Sequence, residues 1–189
     1  PEMVELFSLD GVSKSPSIFD ETKLKWLNGE YIRELSEDEF YSHALPYLRA
    51  SKVNGKFDLK AVAKLMQPRI ETFGEIPEKI DWLAEMTEYD LSLFDNKKNK
   101  TSAEVAKDLL PKIKACVEAV DTFDNDTLYK TLSEKAAELG VKSGAFFWVM
   151  RIAITGQGVT PGGATEMAAL LGKEETLRRI DFSLGLLDR

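Results

Sequence analysis

Cysteine and histidine are nearly missing from this chain: Cys116 and His43 each stand alone. One cysteine excludes an internal disulfide and fits a reducing compartment, so the cytoplasm is expected. One histidine excludes histidine-rich metal sites. It also makes any histidine-based triad depend on His43, which reads as a surface or half-buried helix residue. No apolar run approaches the about 20 residues needed to cross a bilayer, and no membrane partner is expected. The opening Pro1–Leu6 lacks a basic region followed by a continuous apolar run, the mark of a signal peptide. A start on Pro rather than Met suggests a piece of something longer. Positive charge is not in excess either. A net charge of −7 argues against indiscriminate nucleic-acid binding, because phosphate affinity comes mainly from Lys and Arg. It leaves room for a local basic face, since a few placed arginines plus base stacking suffice to bind RNA.

Several chemical signatures are also missing. There is no Gly-rich phosphate loop ending in Gly-Lys-Ser. Gly156-Gln157-Gly158, followed by Gly162-Gly163, lies between predicted helices, outside the strand–loop–helix setting of a dinucleotide fingerprint. Ser13-Lys14-Ser15 is similar to the end of the Lys-Met-Ser-Lys-Ser ATP loop of class I aminoacyl-tRNA synthetases. It is preceded here by Gly11-Val12, however, and no His-Ile-Gly-His partner occurs, so no ATP site is expected. The acidic groups Glu37-Asp38-Glu39 and Glu174-Glu175 fall in predicted first turns, where carboxylates favour the helix dipole. No nucleophile–base pair stands out.

What is present is helical periodicity. A chain of 189 residues is long enough for one domain with a good core, or for two small ones. Phe7-Ser8-Leu9-Asp10-Gly11 reads as a turn and Ser13–Pro16 as an extended connector. Asp20 caps a helix carrying Leu24, Trp26 and Leu27 that stops at Asn28-Gly29, with an apolar face restarting at Tyr31. Ser36 and Glu39 form a capping box, and Pro46 predicts a kink or early end in the helix behind it. Asp58 caps the next helix, with a bend expected at Gln67–Arg69 because of Pro68. Pro77 opens a helix bearing Ile80, Leu83 and Met86. Thr101 and Glu104 offer a second capping box ahead of a long helix through Val120. Asp121–Asp126 reads as a hinge, and a further helix ends at Gly140.

No sustained alternation of period two occurs, so the chain reads as all-α with about nine or ten helices. Two packed helical subdomains are expected: a connector over 1–20, an N-terminal subdomain over 21–121 and a C-terminal one over 122–189. The stretch from Phe146 to Ile180 organises the rest. An apolar helix containing Arg151 breaks at Gly156 into a loop with Gly, Thr and Pro but no carboxylate. A second helix follows, with Gly172 placed as a left-handed C′ residue. Such an arrangement offers backbone N–H groups, a hydroxyl and a guanidinium to one ligand. It is a recognition surface without an evident nucleophile, general base or metal ligand.

Three stretches, in order, carry a family resemblance. They are Phe7–Asp20, the run Lys23-Leu24-Lys25-Trp26-Leu27-Asn28-Gly29-Glu30-Tyr31-Ile32-Arg33, and Arg151–Gly156 continuing to Leu170-Leu171-Gly172-Lys173-Glu174. Together they resemble the C-terminal, anticodon-binding half of bacterial glutamyl-tRNA synthetases over the whole chain. The resemblance implies an α-helical cage that grips the anticodon arm of tRNA-Glu. It also implies a catalytic domain elsewhere in the same polypeptide, and a monomer. Glutamylation, with ATP and magnesium, would belong to the full-length enzyme. No cofactor is expected in this part, which should be inactive alone.

The resemblance also implies roles for single residues. Arg69, in Leu65-Met66-Gln67-Pro68-Arg69, matches the arginine that reads the third anticodon base. Arginine offers only donors, cytosine's pairing edge offers the acceptors N3 and O2, and the guanine of tRNA-Gln presents donors there. Arg69 thus resembles the form that discriminates against tRNA-Gln. Arg151 matches an arginine placed against the first anticodon base, and Thr160 and Pro161 match the loop cradling that nucleotide, with Gly163 a further contact. The segment Pro161–Glu166 departs from the many members that carry a bulky Leu-Phe pair here. Trp148 reads as a core residue or a base-stacking one. Two other classes stay open beside this reading: an acidic α-helical protein-interaction module without RNA binding, and a small helical enzyme.

Overall fold

A computed structural model describes residues 4, 5, 7, 8 and 18–189. The turn at Leu9–Gly11 and the connector Ser13–Pro16 lie outside the described residues. Among the described residues the protein is all-α: its only extended pairing is an isolated antiparallel bridge between Asn96 and Thr101. In chain order the helices are α1 (Glu21–Glu34), α2 (Glu37–Ala50), α3 (Leu59–Met66), α4 (Ile76–Ile80), α5 (Ala103–Ala119), α6 (Asn125–Glu138), α7 (Ser143–Thr155), α8 (Ala164–Leu171) and α9 (Lys173–Leu187). Short 3₁₀ turns at Gln67–Arg69, Phe73–Glu75, Asp81–Ala84 and Leu91–Phe94 fill the stretch between α3 and α5.

Most helix starts follow from single capping side chains. Asp20 accepts from the Lys23 amide at 3.0 Å. Ser36 and Glu39 close the reciprocal box, the Glu39 carboxylate accepting from the Ser36 amide at 3.0 Å. Before α5 the cap sits one residue later than the sequence predicts: Ser102 accepts from Val105. Thr101 is buried instead, and its hydroxyl donates to the Phe94 carbonyl at 2.7 Å.

Two predicted helix ends do not occur. Helix α1 runs through Asn28-Gly29 because the glycine serves close packing: a Cβ there would sit 3.2 Å from Glu71 Cγ, and Asn28 Nδ2 donates to the Glu71 carbonyl. Helix α2 runs through Pro46. The carbonyl freed by the missing N–H belongs to Ser42, and both residues are exposed, so the lost bond lies away from the core. The bend at Pro68 does occur, as the 3₁₀ turn after α3. The helix expected over Pro77–Met86 is cut short: α4 ends at Ile80 and the chain turns at Asp81–Ala84. Gly172 has φ 79° but ψ 163°, so it turns the chain from α8 into α9 without being a left-handed cap.

Helix α2 packs on α3 and α4, with α1 against the 67–69 turn; α5 to α9 pack on one another. One hydrophobic cluster continues through both groups, from Phe40, Met66 and Ile76 to Ile113, Phe146 and Met167. Polar ties across the contact are buried. The Arg179 guanidinium, 1% exposed, donates to the carbonyls of Leu83 (2.6 Å) and Ile154 (3.0 Å) and to Glu175 (2.7 Å). Tyr89 donates to Ser183 at 2.8 Å, and Ser183 passes a hydrogen bond to the Ala153 carbonyl. Burial pushes the Tyr89 phenol up to about 12, so it stays a donor. These ties join the Asp81–Ala84 turn and Tyr89 to α7 and α9. No helix among the described residues is long and apolar enough to cross a membrane.

Candidate functional site

The residues singled out from sequence divide between one cleft and its margins. Helix α7 ends where Gly156 adopts φ 63°, with the Tyr89 ring 3.1 Å from where a Cβ would be. The chain then forms the loop 157–163, which touches α3 and shares a cleft with Arg69. Gly162 is the closest point: a Cβ on it would lie 3.0 Å from Leu65 Cδ1 and 3.1 Å from Glu166 Cβ. The lack of a side chain at Gly162 therefore allows the loop to touch α3.

Arg69, Thr160 and Pro161 line one cleft of about 530 Å³, with Trp82, Gln157 and Val159 on its walls. Arg69 is about one-third exposed along its side chain, and its Nη1 donates to the Leu65 carbonyl at 2.7 Å. That bond curls the side chain over the turn of α3 and limits the positions its other donors can take. Trp82 is anchored by its indole N–H, which donates to the Lys79 carbonyl at 2.8 Å. The Thr160 hydroxyl donates to the Gly162 carbonyl at 2.6 Å, so it shapes the loop with that bond.

Gly163 lies at the start of α8, and its amide donates to Glu166 Oε2 at 2.6 Å. Gly163 has no side chain to reciprocate, so this is half of a capping box. Glu166 also stands 4.0 Å from Arg69 Nη2. The loop itself lacks a carboxylate, but one folds back onto it from the first turn of α8. Arg69 and Glu166 share a second cleft of about 590 Å³ walled by Leu65, Pro68, Ala169 and Leu170.

Arg151 lines neither cleft. It lies on α7 with its guanidinium 5.9 Å from the Trp148 ring. Among the described residues, its buried Nε makes no hydrogen bond. Trp148 is half-buried, and its indole N–H donates to the Leu93 carbonyl at 3.1 Å, which favours its reading as a core residue. His43 is exposed on α2, beside Phe73.

Sequence reasoning missed Glu166, Trp82 and Gln157. Only Glu166 left a signal: its spacing from Gly163 is that of N-cap to N3. Among the described residues, no group of three or more His, Cys, Asp and Glu is placed to hold a metal ion.

Comparison with known proteins shows the family. The family model described as the anticodon binding domain matches residues 39–184. A glutamate–tRNA ligase of Clostridium acetobutylicum is 39% identical over 188 residues, covering 100% of this chain and 39% of its own. One from Clostridium novyi is 42% identical over 182 residues, covering 95% of this chain and 37% of its own. The fold is similar to that of a solved glutamate tRNA ligase from Elizabethkingia meningosepticum. That structure has a TM-score of 0.79 and 21% identity, over 98% of this chain and 36% of that one. The chain thus spans less than two-fifths of the length of the relatives it matches. Nothing in these similarities supports a protein-interaction module without RNA binding. The chain belongs to the anticodon-binding domain family, in the form found in glutamate–tRNA ligases.

Proposed function

We propose that this chain recognises the anticodon arm of tRNA-Glu on behalf of a glutamate–tRNA ligase. The observation that carries the proposal is the cleft in which Arg69, Thr160 and Pro161, distant in sequence, meet beside Trp82. A splayed base stacks on the fixed Trp82 ring, and Arg69 donates to its pairing edge. Cytosine at the third anticodon position accepts from Arg69, whereas guanine sets donor against donor. Pro161 and the Thr160–Gly163 turn shape the wall for a neighbouring nucleotide. Arg151, outside the cleft, supplies positive charge beside Trp148 to the first anticodon base.

The two subdomains, 21–121 and 122–189, hold the arm between them, and the catalytic domain sits elsewhere in the same polypeptide. Glutamylation, with ATP and magnesium, is carried out there, in the cytoplasm and by a monomer. Titrating labelled tRNA-Glu and tRNA-Gln with the chain at several salt concentrations tests this reading. Saturable binding that prefers tRNA-Glu and weakens with salt is expected. Equal binding of both, or none at low salt, contradicts it.

A further inference from the structure

Arg69 and Glu166 face each other at the cleft between α3 and α8, with Nη2 and Oε2 4.0 Å apart. This is beyond hydrogen-bond reach, about 2.7–3.2 Å, although both side chains are substantially exposed. Each is held by its own backbone group. The Leu65 carbonyl takes Arg69 Nη1 at 2.7 Å, and the Gly163 amide takes Glu166 Oε2 at 2.6 Å. The result is a fixed donor and a fixed acceptor side by side, separated by a gap that neither closes. The cleft they share also holds Lys64 and Asn125 beside its apolar residues and meets the Trp82 cleft at Arg69, so a base stacked on Trp82 turns its edge towards the pair. Glu166 is the one carboxylate among the described residues lining the shared cleft.

The geometry points to Glu166 as a second specificity determinant, one that accepts a hydrogen bond from the exocyclic amino group of the base whose ring acceptors Arg69 engages. This rests on the reading of Arg69 given above. A donor beside an acceptor is the complement of cytosine, which presents an amino donor next to N3 and O2. Uracil has a carbonyl where cytosine has the amino group, and so turns an oxygen towards the carboxylate. Guanine presents N–H donors to Arg69 and its O6 to Glu166, and uracil's N3–H likewise faces Arg69. Both residues thus disfavour both wrong bases, and Glu166 reads the exocyclic position, where cytosine alone of the three carries a donor. Glu166 also carries its loop with it, because the same oxygen caps Gly163.

The test is binding of the chain to anticodon stem–loops of tRNA-Glu with cytosine, uracil or guanine as the third anticodon base. It compares the unmodified protein, Glu166→Gln and Arg69→Ala. The glutamine amide keeps an acceptor for the Gly163 amide but also offers a donor to uracil's carbonyl. Glu166→Gln is expected to lower the cytosine-to-uracil preference by about tenfold. The cytosine-to-guanine preference should fall with it without being lost, because Arg69 still meets guanine's N–H groups. The thermal midpoint should not change, which a merely structural role for Glu166 would not produce. An unchanged cytosine-to-uracil ratio in Glu166→Gln, with an intact cytosine-to-guanine preference that Arg69→Ala removes, overturns the role of Glu166 alone. If the unmodified protein does not separate cytosine from guanine, the reading of Arg69 fails and this inference fails with it.

Discussion

Gly162 and Leu65 are in contact across the two helical groups: a methyl group on Gly162 would lie 3.0 Å from Leu65 Cδ1. The same methyl would meet Glu166 Cβ at 3.1 Å, and that atom cannot rotate away. Gly162→Ala should therefore destabilise the protein by about 1 kcal/mol, the lower end of overpacking costs. It should also push the 157–163 loop off α3 and weaken RNA binding. Urea unfolding and a binding titration on the same preparation check both effects.

Arg179 is the polar centre of the contact between the two groups. Replacing it with Met leaves the Leu83 and Ile154 carbonyls without its donors, and removes one of the two arginines on Glu175. The expected loss is about 3–5 kcal/mol, the usual result of breaking a buried pair from one side. Arg179→Lys should fall between Met and the native residue, since an ammonium lacks the planar fork that spans three acceptors. Chemical denaturation of the three proteins orders them.

Stability should depend on Glu175 in acid. Hydrogen bonds from Arg178, with Arg179 adding to them, hold its carboxyl at about 2 against an ordinary 4.5. A depressed folded-state pKa contributes stability that is complete above the unfolded value. It is lost as pH falls from about 4.5 through about 2. Glu175→Gln should flatten this part of the acid limb, which thermal melts across that window measure as the difference between the two proteins.

Arg151→Ala should cost little stability, within about 0.5 kcal/mol, because the native Nε is buried without a hydrogen bond. RNA affinity should nevertheless fall. Equal losses in melting and in binding would instead make Arg151 a packing residue.

Much of this fold is legible in the sequence because its helix ends are written in side chains. Asp20, Ser36 and Asp58 each cap the helix they precede, and Pro68 ends α3 as its missing N–H requires. Gly29 misleads because its effect depends on the surroundings: it makes room for Glu71. Pro46 does not end its helix, and it lies on the exposed side. At the site, Arg69 and the Thr160-Pro161 loop are visible through resemblance. Glu166 is not, because its contact with Arg69 exists only once α8 packs beside α3. Trp82 likewise comes to the cleft only through the 3₁₀ turn that replaces the expected end of its helix.

The measurement that bears most directly on the account is binding of the chain to tRNA-Glu and to tRNA-Glu carrying guanine as its third anticodon base, each repeated with Arg69→Ala. The account predicts that the base change weakens binding to the unmodified protein, and that Arg69→Ala narrows the difference between the two RNAs while melting as the unmodified protein does. Equal binding of both RNAs by the unmodified protein, or a preference undiminished in Arg69→Ala, would contradict it.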